Sequence, residues 1–477
     1  MESKKEFIKD KRILIVGLGS LGGGIATSLW FLKQKANITI TDLRDKKDLK
    51  QSLNKLKQYS SRIKLSLGGH NKKDFKNHNL IIINPGAKIK NNPYLQMAKK
   101  EKNLIENEIS LFLRFNQTPL ITITGTRGKT TITNWIGYLL KEKYPQTIIG
   151  GNMPESPVLS FLNKTKANIP VVLELSSFQL EILKNKYQGP NIAIITNLYR
   201  DHLNRHGNMK NYAMAKANVF KNQQKTDYLI LNYQDRWTKF FLSLKPKSQI
   251  YFISNKPLPL NKNGVFNQNN NIYFQDNKKK QLMLNTKRFS KQWGEHNLNN
   301  LMFSILAAKL FGLSFTQIKK QIPRLPQMTF RQQIVYQSGT KLLIINDSCA
   351  TTPEATIAAL KRFSNKQNNL VLITGGTDKD LKYNELAKQI KKTISPKNLI
   401  ILNGSASKKL IKELIKIKYS NNYSVFESLS ECLSYSLHLR KYKRDIILFS
   451  PGATSFEKFL NEFDRGKAFN NLIKKIK

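Results

Sequence analysis

The chain has 477 residues, 40% of them hydrophobic, which is enough for about three domains, and its formal net charge is +49. Two cysteines exclude a disulfide framework, and no apolar run approaches the roughly 18 residues that span a bilayer. The charge alone would favour nucleic acid, an anionic membrane surface or an acidic substrate, but the lysines are scattered and no nucleic-acid fold signature accompanies them. We therefore predict a cytoplasmic monomer that binds no nucleic acid, inserts into no membrane and carries no secretory leader.

The first predicted domain covers residues 1–118. Its strands RILIVGLG, NITITD and NLIIINPG alternate with helical stretches, which predicts an α/β domain with a parallel sheet. Glycines 17, 19 and 22 form a GxGxxG turn after the first strand, and Asp42 ends the second. Taken alone, this pattern indicates a dinucleotide, although such a turn cradles any phosphorylated ligand. Gly86 follows the third strand and could face the same crevice.

The second predicted domain covers residues 119–325 and opens with ITITGTRGKTT. Alternating β-branched residues predict a strand, Gly125 and Gly128 a tight loop, and TITNWIGYLLKEK a helix. In such a loop the backbone N–H groups and the helix N-terminus hold phosphates, a lysine reaches the terminal phosphate and a hydroxyl holds Mg²⁺. Lys129 and Thr130 have these roles in the predicted site. An ordinary strand–turn–helix corner is the alternative.

Polar residues follow other strands of the same domain. Glu174 ends the buried strand VVLE, where a carboxylate is costly unless it meets a cation such as Mg²⁺. Asp201 and His202 follow the strand NIAIITN and could touch a metal or its waters, although a lone histidine is more often structural. Lys216 lies on a predicted helix and, from its pattern alone, would be solvated.

The end of the second domain has three further predicted features. NKNGVFNQNNNIYFQDNKKKQLMLN is interpreted as an antiparallel patch with turns at its Asn-Gly and Asn-Asn pairs. An amphipathic helix should start near His296, where Asn297 and Asn300 could cap the helix or hold a nucleobase or ribose. The segment IPRLPQM is predicted to be a linker.

Residues 326–477 form the third predicted domain, a further α/β unit with the strands KLLIIND, NLVLITGG, NLIILNG and DIILFSPG. Polar residues follow three of these strands, and strand ends converge at one edge of a parallel sheet. Asp347 and Thr351 follow the first strand, Lys379 the second and Ser455 the last. A carboxylated substrate would find a lysine and several hydroxyls there.

These motifs together resemble the Mur ligase family, ATP-dependent amide-bond-forming enzymes of peptidoglycan precursor synthesis. The resemblance covers nearly the whole chain, in order: GLGSLG, INPGA, TGTRGKTT, ELSSFQLE, the Asp-His pair, the helix lysine, HNLNN, Phe330-Arg331, NDSCATT, GGTDK, and SPGATSFEKF through DRG. It is strongest for the glutamate-adding members. It implies a Rossmann-like first domain, a central P-loop ATPase-type domain and a Rossmann-like third domain.

The resemblance also assigns residues to substrates. The UDP part of UDP-N-acetylmuramoyl-L-alanine would be bound by Ser20, Leu21, Asp42, Arg44, Gly86 and Asn152. ATP would be bound by Gly125, Thr126, Arg127, Gly128, Lys129, Thr130, Thr131, Asn297, Asn300, Arg331 and Asp347. Mg²⁺ would be held by Thr130, Glu174, His202 and a carbamylated Lys216. Glutamate would be held by Thr351, Lys379 and Ser455.

The implied reaction starts when the alanine carboxylate attacks the γ-phosphate, which gives an acyl phosphate and ADP, and the glutamate amine then displaces phosphate. The residues implied as catalytic are Lys129, Glu174, His202 and Lys216. Because ATP and glutamate would bind different domains, the resemblance also implies closure.

Three positions depart from the family pattern. Arg127 stands where asparagine is usual, Cys349 where lysine is usual, and Glu462, followed by Phe463, where an aromatic residue commonly borders the glutamate site. The last two fall in the amino-acid pocket, so ligation of D-glutamate has ligation of L-glutamate as its alternative. A dinucleotide-dependent oxidoreductase would leave TGTRGKTT unexplained, and a basic nucleic-acid-binding ATPase would leave the first and third units unexplained.

Overall fold

The computed structural model describes residues 3–19, 23–87, 91–152, 158–183, 187–339, 341–365, 368–441 and 444–476. The described residues contain three β-sheets of five, nine and six strands, each interleaved with helices along the chain. The predicted α/β alternation is thereby confirmed. Among these residues, no helix is long and apolar enough to cross a membrane.

The first sheet is fully parallel, with strand order β3-β2-β1-β4-β5. Its strands are β1 Ile13–Val16, β2 Ile38–Asp42, β3 Ile63–Leu67, β4 Leu80–Ile83 and β5 Leu104–Glu106. The helices of this part are α1 Lys4–Ile8, α2 Gly23–Lys33, α3 Lys50–Asn54, α4 Lys72–Asn77, α5 Pro93–Lys100 and α6 Glu108–Phe115. Alternate residues of β1 enter two separate apolar clusters, so both faces of the sheet are covered. The strand order reverses between β1 and β4, where α/β sheets bind ligands.

The second sheet has the order β14-β13-β12-β11-β10-β9-β6-β8-β7. Its strands are β6 Leu120–Thr124, β7 Ile148–Gly151, β8 Val171–Glu174, β9 Ile192–Ile195, β10 Tyr228–Asn232, β11 Gln249–Ser254, β12 Asn263–Gln268, β13 Asn271–Asp276 and β14 Lys279–Asn285. The helices that follow its strands are α7 Lys129–Leu140, α8 Ser177–Leu180, α9 Leu203–His206, α10 Met209–Ala217, α11 Thr238–Ser243, α12 Lys287–Trp293, α13 Leu298–Leu310 and α14 Phe315–Gln321. The short 3-10 helices here are Val158–Asn163, Glu295–Asn297 and Ile322–Arg324.

The predicted antiparallel patch is confirmed as β12–β14. Its first turn is at Asn269-Asn270, where both residues have positive φ. The turn predicted at Asn263-Gly264 is wrong, because both residues lie inside β12. Gly264 is needed there for a different reason: a Cβ would lie 1.9 Å from the carbonyl oxygen of Phe252 on β11.

The helix predicted near His296 begins as the 3-10 turn Glu295–Asn297 and continues as α13. The prediction that it is amphipathic is wrong. Every residue of α13 from Leu301 to Ala308 is buried, so the helix is enclosed rather than apolar on one face. The predicted linker IPRLPQM starts with the short 3-10 helix Ile322–Arg324.

The third sheet has the order β15-β16-β20-β17-β18-β19, parallel except for β15. Its strands are β15 Gln333–Ser338, β16 Leu342–Asn346, β17 Asn369–Gly375, β18 Leu399–Leu402, β19 Ser424–Phe426 and β20 Asp445–Phe449. Its helices are α15 Pro353–Phe363, α16 Asn384–Thr393, α17 Ser405–Lys416, α18 Leu429–His438 and α19 Glu462–Lys474. Two apolar clusters cover its two faces.

The chain forms two compact units. One contains residues 1–287 and 298–325 with the first two sheets, and the other contains residues 288–297 and 326–477 with the third sheet. The segment 288–297 is held within the second unit by Arg362, whose Nη2 donates to the Gln292 carbonyl at 2.5 Å.

Three consecutive buried residues connect the first two sheets. Glu106 accepts hydrogen bonds from Arg114, at 2.7 Å, and from the Tyr187 hydroxyl. The Asn107 side chain donates to the Gln179 carbonyl at 2.7 Å. The Glu108 carboxylate accepts the backbone N–H of Val158 at 2.7 Å, at the start of a 3-10 helix. The end of β5 and the start of α6 are therefore hydrogen-bonded to segments that connect strands of the second sheet.

Glu108 should make stability depend on pH. Burial raises its pKa to about 7 even though the backbone N–H groups of Val158 and Leu159 oppose the shift. A carboxyl group whose pKa is raised by folding stabilises the folded state below its unfolded pKa, and this contribution is lost as the pH rises through about 7. We expect the unfolding free energy of the wild type to fall by about 3 kcal/mol relative to Glu108→Gln between about pH 4.5 and pH 8.

Chemical denaturation of both proteins across this pH range measures the difference. Glu101→Gln, which alters an exposed carboxylate, is the matched control and should run parallel to the wild type. A constant gap between the wild type and Glu108→Gln at all pH values would contradict the expectation.

Candidate active site

The loop between β6 and α7 has the shape predicted for a phosphate loop. Gly125 has a φ of 144°, and a Cβ there would lie 1.9 Å from the Thr196 hydroxyl. Gly128 is the N-cap of α7 with a φ of 85°, and a Cβ there would lie 2.5 Å from the Asn300 side-chain oxygen. Both positions therefore require glycine, for backbone conformation as well as for space.

The three polar residues that follow Gly128 occupy the first turn of α7. The Lys129 amine donates to the Thr126 carbonyl at 3.2 Å, and the Thr130 hydroxyl donates to the Glu174 carboxylate at 2.7 Å. Thr131 lies beside them in the same turn. Glu174 is 3% exposed and ends β8, which pairs directly with β6. The pairing of these strands is what brings the carboxylate to the loop.

Lys216 was expected from its pattern to be solvated, and the structure shows the opposite. Its side chain is 1% exposed on α10, and its amine donates to the Gly125 carbonyl at 2.8 Å. Burial, and next the nearby charge of Lys129, hold the pKa of Lys216 well below its usual value. Folding therefore disfavours the charged form of this lysine, whose amine lies against the phosphate loop.

His202 and Asp201 lie after β9. His202 caps α9 with a φ of 54°, its side chain is 45% exposed, and its Nε2 lies 3.6 Å from the Asp201 carboxylate. Its ring is 4.9 Å from that of Phe178. The charge of Asp201 also acts on Lys216, so the pair belongs to the same neighbourhood as the loop.

Asn197 is a loop-positioning residue that the sequence analysis missed. It follows β9, accepts the N–H of Thr126 with its carbonyl and the N–H of Arg127 with its side chain, both at 2.9 Å. The Thr196 hydroxyl donates to the Arg127 carbonyl at 2.7 Å. The convergence of strand ends could have indicated both residues, because β9 is the other neighbour of β6.

The residues around the loop fit a magnesium ion. No group of three or more His, Cys, Asp and Glu side chains within the described ranges is arranged to enclose a metal. Mg²⁺ does not need such a cage, because it keeps several waters and takes one or two protein oxygens together with substrate phosphates. The Thr130 hydroxyl and the Glu174 carboxylate, already in contact, are oxygen ligands of this kind.

In the first sheet, Asp42 is engaged by its own surroundings. Its carboxylate accepts the N–H of Leu18 at 2.9 Å and is paired with Arg44 at 3.1 Å. Burial opposes ionisation of Asp42, but the hydrogen bonds from Arg44 and the glycine turn outweigh it and hold the pKa below its usual value. The Gly86 N–H donates to Asn84, whose side chain in turn donates to the Gly17 carbonyl, so the turns after β1 and β4 are adjacent.

The other residues predicted for the UDP part are only partly described. Ser20, Leu21 and the third glycine of the turn lie outside the described residues. Asn152 follows β7 and is exposed, and its backbone N–H donates to the Glu174 carbonyl at 2.8 Å.

The predicted nucleotide residues near the third sheet centre on Asp347, which follows β16. Its carboxylate accepts the Gln332 N–H at 3.0 Å and the Ser450 hydroxyl at 2.7 Å. Burial raises its pKa to about 7, although the positive charge of Arg331 opposes the shift. Asn297 donates to the Trp293 carbonyl within the second unit, whereas Asn300 lies in the first.

The residues predicted to hold glutamate follow three neighbouring strands, Thr351 after β16, Lys379 after β17 and Ser455 after β20. Ser455 is buried, and its hydroxyl has no hydrogen-bond partner among the described residues. Such a hydroxyl fits a site completed by a polar substrate. Burial raises the pKa of the nearby Cys349 thiol to about 11, so this residue is uncharged.

Three family models match the chain in order. A "Mur ligase MurD-like, N-terminal domain" matches residues 11–106, a "Mur ligase middle domain" residues 123–308, and a "Mur ligase, glutamate ligase domain" residues 330–452. Each model falls on one of the three sheets.

Curated relatives match over their full length. The UDP-N-acetylmuramoylalanine–D-glutamate ligase of Borreliella burgdorferi is 35% identical over 98% of this chain and 99% of that protein. The ligases of the same name from Roseiflexus sp. and Treponema pallidum are 34% and 31% identical, over 97% and 100% of this chain and 98% and 100% of theirs.

Solved structures show the same fold. The UDP-N-acetylmuramate-alanine ligase of Thermotoga maritima is 19% identical with a TM-score of 0.59, over 98% of this chain and 100% of that chain. The MurF ligase of Thermotoga maritima in complex with ADP is 14% identical with a TM-score of 0.54, over 93% and 96%. With three family models in order and relatives above 30% identity along the whole chain, this protein belongs to the Mur ligase family.

Proposed function

We propose that this chain is an ADP-forming ligase that joins D-glutamate to the alanine carboxyl group of UDP-N-acetylmuramoyl-L-alanine in peptidoglycan precursor synthesis. The observation that supports ATP as the energy source is the phosphate loop. There the Lys129 amine donates to the Thr126 carbonyl, the Thr130 hydroxyl to Glu174, and the buried Lys216 amine to the Gly125 carbonyl. The substrates follow from the full-length relatives that carry this name. An oxidoreductase would leave this loop without a use.

The nucleotide site uses groups that are already in place. The backbone around Gly125 and Gly128 and the N-terminus of α7 would receive the phosphates, and Lys129 would move from the Thr126 carbonyl to the terminal phosphate. Thr130, Glu174, His202 and a carbamylated Lys216 would hold Mg²⁺. ATP, when bound with Mg²⁺, supplies the phosphoryl group that activates the alanine carboxylate as an acyl phosphate.

The remaining roles follow the order of the domains, with boundaries at about residues 118 and 325. The turns after β1 and β4 would receive the UDP part, and Asn152 would touch the same substrate. Asp347 and Arg331 would also bind ATP, and Thr351, Lys379 and Ser455 would hold glutamate. We further propose that the protein acts in the cytoplasm as a monomer.

The decisive test is an assay of ADP release and product formation with a panel of amino acids in the presence of UDP-N-acetylmuramoyl-L-alanine. We expect product with D-glutamate and none with L-glutamate at equal concentration. Enantiomers share every group, so discrimination depends on the placement of three contacts around one carbon. Product from L-glutamate only would overturn the stereochemistry and leave the ligase reaction intact, and absence of ADP release with every amino acid would overturn the proposed function.

A further inference from the structure

Arg465 is a fully buried guanidinium in the first turn of α19, with 0% of its surface exposed. Its Nη1 donates to the Thr454 carbonyl at 3.0 Å, and its Nη2 donates to the carbonyls of Ser348, at 2.7 Å, and Ala453, at 3.0 Å. Within the described part of the chain, no carboxylate lies within ion-pair distance of it, and its Nε has no partner. The side chain therefore binds backbone, not a counter-ion.

The carbonyls that Arg465 binds belong to two of the three proposed glutamate loops. Ser348 precedes Thr351 in the loop after β16, and Ala453 and Thr454 precede Ser455 in the loop after β20. One planar guanidinium, with five N–H donors in fixed directions, can hold several carbonyls at once. Arg465 thus fixes these two loops relative to each other.

The third loop is fastened to the same point through Thr454. The backbones of Thr377 and Thr454 exchange two hydrogen bonds, at 3.0 and 3.1 Å, and the Thr454 hydroxyl donates to the Thr377 carbonyl at 2.8 Å. Thr377 stands two residues before Lys379. All three loops that carry the proposed glutamate contacts therefore meet at the Arg465 guanidinium.

The start of α19 holds Arg465 in this position. The Asn461 side chain accepts the N–H groups of Phe463 and Asp464, both at 2.9 Å, which fixes the first turn of the helix. Gly466 lets this turn approach the loop after β16, since a Cβ there would lie 2.4 Å from the Ser348 hydroxyl. Arg465 thus supplies a long hydrogen-bond donor, and Gly466 lets the helix come close enough for that donor to reach the loop.

A buried cation without an ion-pair contact is costly, and buried charges are normally paired. The charges of Glu462 and Asp347 act on Arg465, but among the described residues no carboxylate lies within ion-pair distance of it. Burial lowers the pKa of Arg465 to about 10, so it remains charged at neutral pH. An apolar side chain at this position would avoid the cost of burying a charge, but it could not donate hydrogen bonds. The bonds that Arg465 donates to three backbone carbonyls around one proposed substrate site offset that cost.

We propose that Arg465 is a positioning residue for the amino-acid substrate, which holds the loops after β16, β17 and β20 so that Thr351, Lys379 and Ser455 reach glutamate together. This inference rests on the proposed function of these three residues. Arg465 itself is buried and does not touch the substrate.

The test compares Arg465→Met, which keeps the apolar stem without its donors, with Arg465→Lys, which keeps the charge but not the fork. We expect Arg465→Met to raise the KM for glutamate by about tenfold or more, and Arg465→Lys to raise it less, because small misplacements of binding groups are costly. The KM values for ATP and the UDP substrate should change by less than about twofold. The matched control is Lys467→Met, an exposed lysine on the same helix.

A second variant keeps the test decisive where the arginine variants do not fold. Thr454→Val removes the hydroxyl bond to the Thr377 carbonyl, which still accepts the Thr454 N–H, so the protein should fold and its KM for glutamate should rise in the same direction. Hydrogen exchange of the three loops without substrate should be faster in each folded variant than in the control.

An unchanged glutamate KM in a folded Arg465→Met, or an equal change in all three KM values, would overturn the inference. If neither arginine variant folds, an unchanged glutamate KM in Thr454→Val would overturn it, because the link to the loop after β17 would then be without effect. A wild-type protein that uses no glutamate would refute the proposed function instead, and the exchange comparison would still decide whether Arg465 holds the loops.

Discussion

Lys129→Ala should abolish ATP turnover, with a loss of roughly 1,000-fold or more. Lys129 is the first residue of α7, and its amine donates to the Thr126 carbonyl in the loop that would hold the phosphates. Lys216 does not replace it, because its buried amine donates to the Gly125 carbonyl and burial disfavours its charged form. Without Lys129, the developing negative charge on the phosphoryl group would lose its nearest side-chain cation in the loop.

ADP release by the purified variant, with all three substrates present, measures this effect. Lys141→Ala, at the exposed end of the same helix, is the matched control and should keep wild-type turnover. Thermal unfolding should place both variants close to the wild type, since the Lys129 side chain is partly exposed and Lys141 is exposed. If Lys129→Ala keeps most of the ATP turnover, the assignment of the nucleotide site is wrong.

Strand ends were the most reliable guide to the architecture and to the candidate site. Glu174 could be predicted beside the phosphate loop because β8 is buried and parallel strands end at one edge of the sheet. The short strands β15 and β19 were missed, because neither presents a long apolar run. The turn predicted at Asn263-Gly264 was wrong because glycine is also required where two strands approach closely, as Gly264 on β12 approaches β11.

Side-chain burial was the feature that the sequence could not reveal. Lys216 and Arg465 are cations that local pattern would leave in water, yet both are buried against backbone carbonyls from distant segments. Their surroundings depend on tertiary packing between α10 and the phosphate loop, and between α19 and the loops after two strands, β16 and β20. No spacing within either helix carries that information. Family resemblance drew attention to Lys216, whereas the environment of Arg465 became visible only in the structure.

Replacement of the buried Lys216 is the second change for which we expect a large loss of activity. A neutral amine can add carbon dioxide and release a proton to form a carbamate, whereas a protonated one cannot, so the lowered pKa of Lys216 favours the modification. The carbamate would place an anion near Lys129 and would offer oxygen ligands to a metal. We therefore expect Lys216→Ala to lose activity by roughly 100-fold or more, the loss typical of groups that orient a metal or its partners.

Added formate or acetate should restore part of the activity of Lys216→Ala, because a small carboxylate can occupy the space that the side chain leaves. The matched control is Lys210→Ala, which removes an exposed lysine from the same helix and should neither lose activity nor respond to the additive. The two variants separate a specific anion requirement from a general effect of charge, since each removes one lysine from a chain with net charge +49. Full activity of Lys216→Ala without any additive would refute the carbamate. If a folded Lys216→Ala loses activity and the additive does not restore it, the role of Lys216 would be limited to its hydrogen bond with the Gly125 carbonyl.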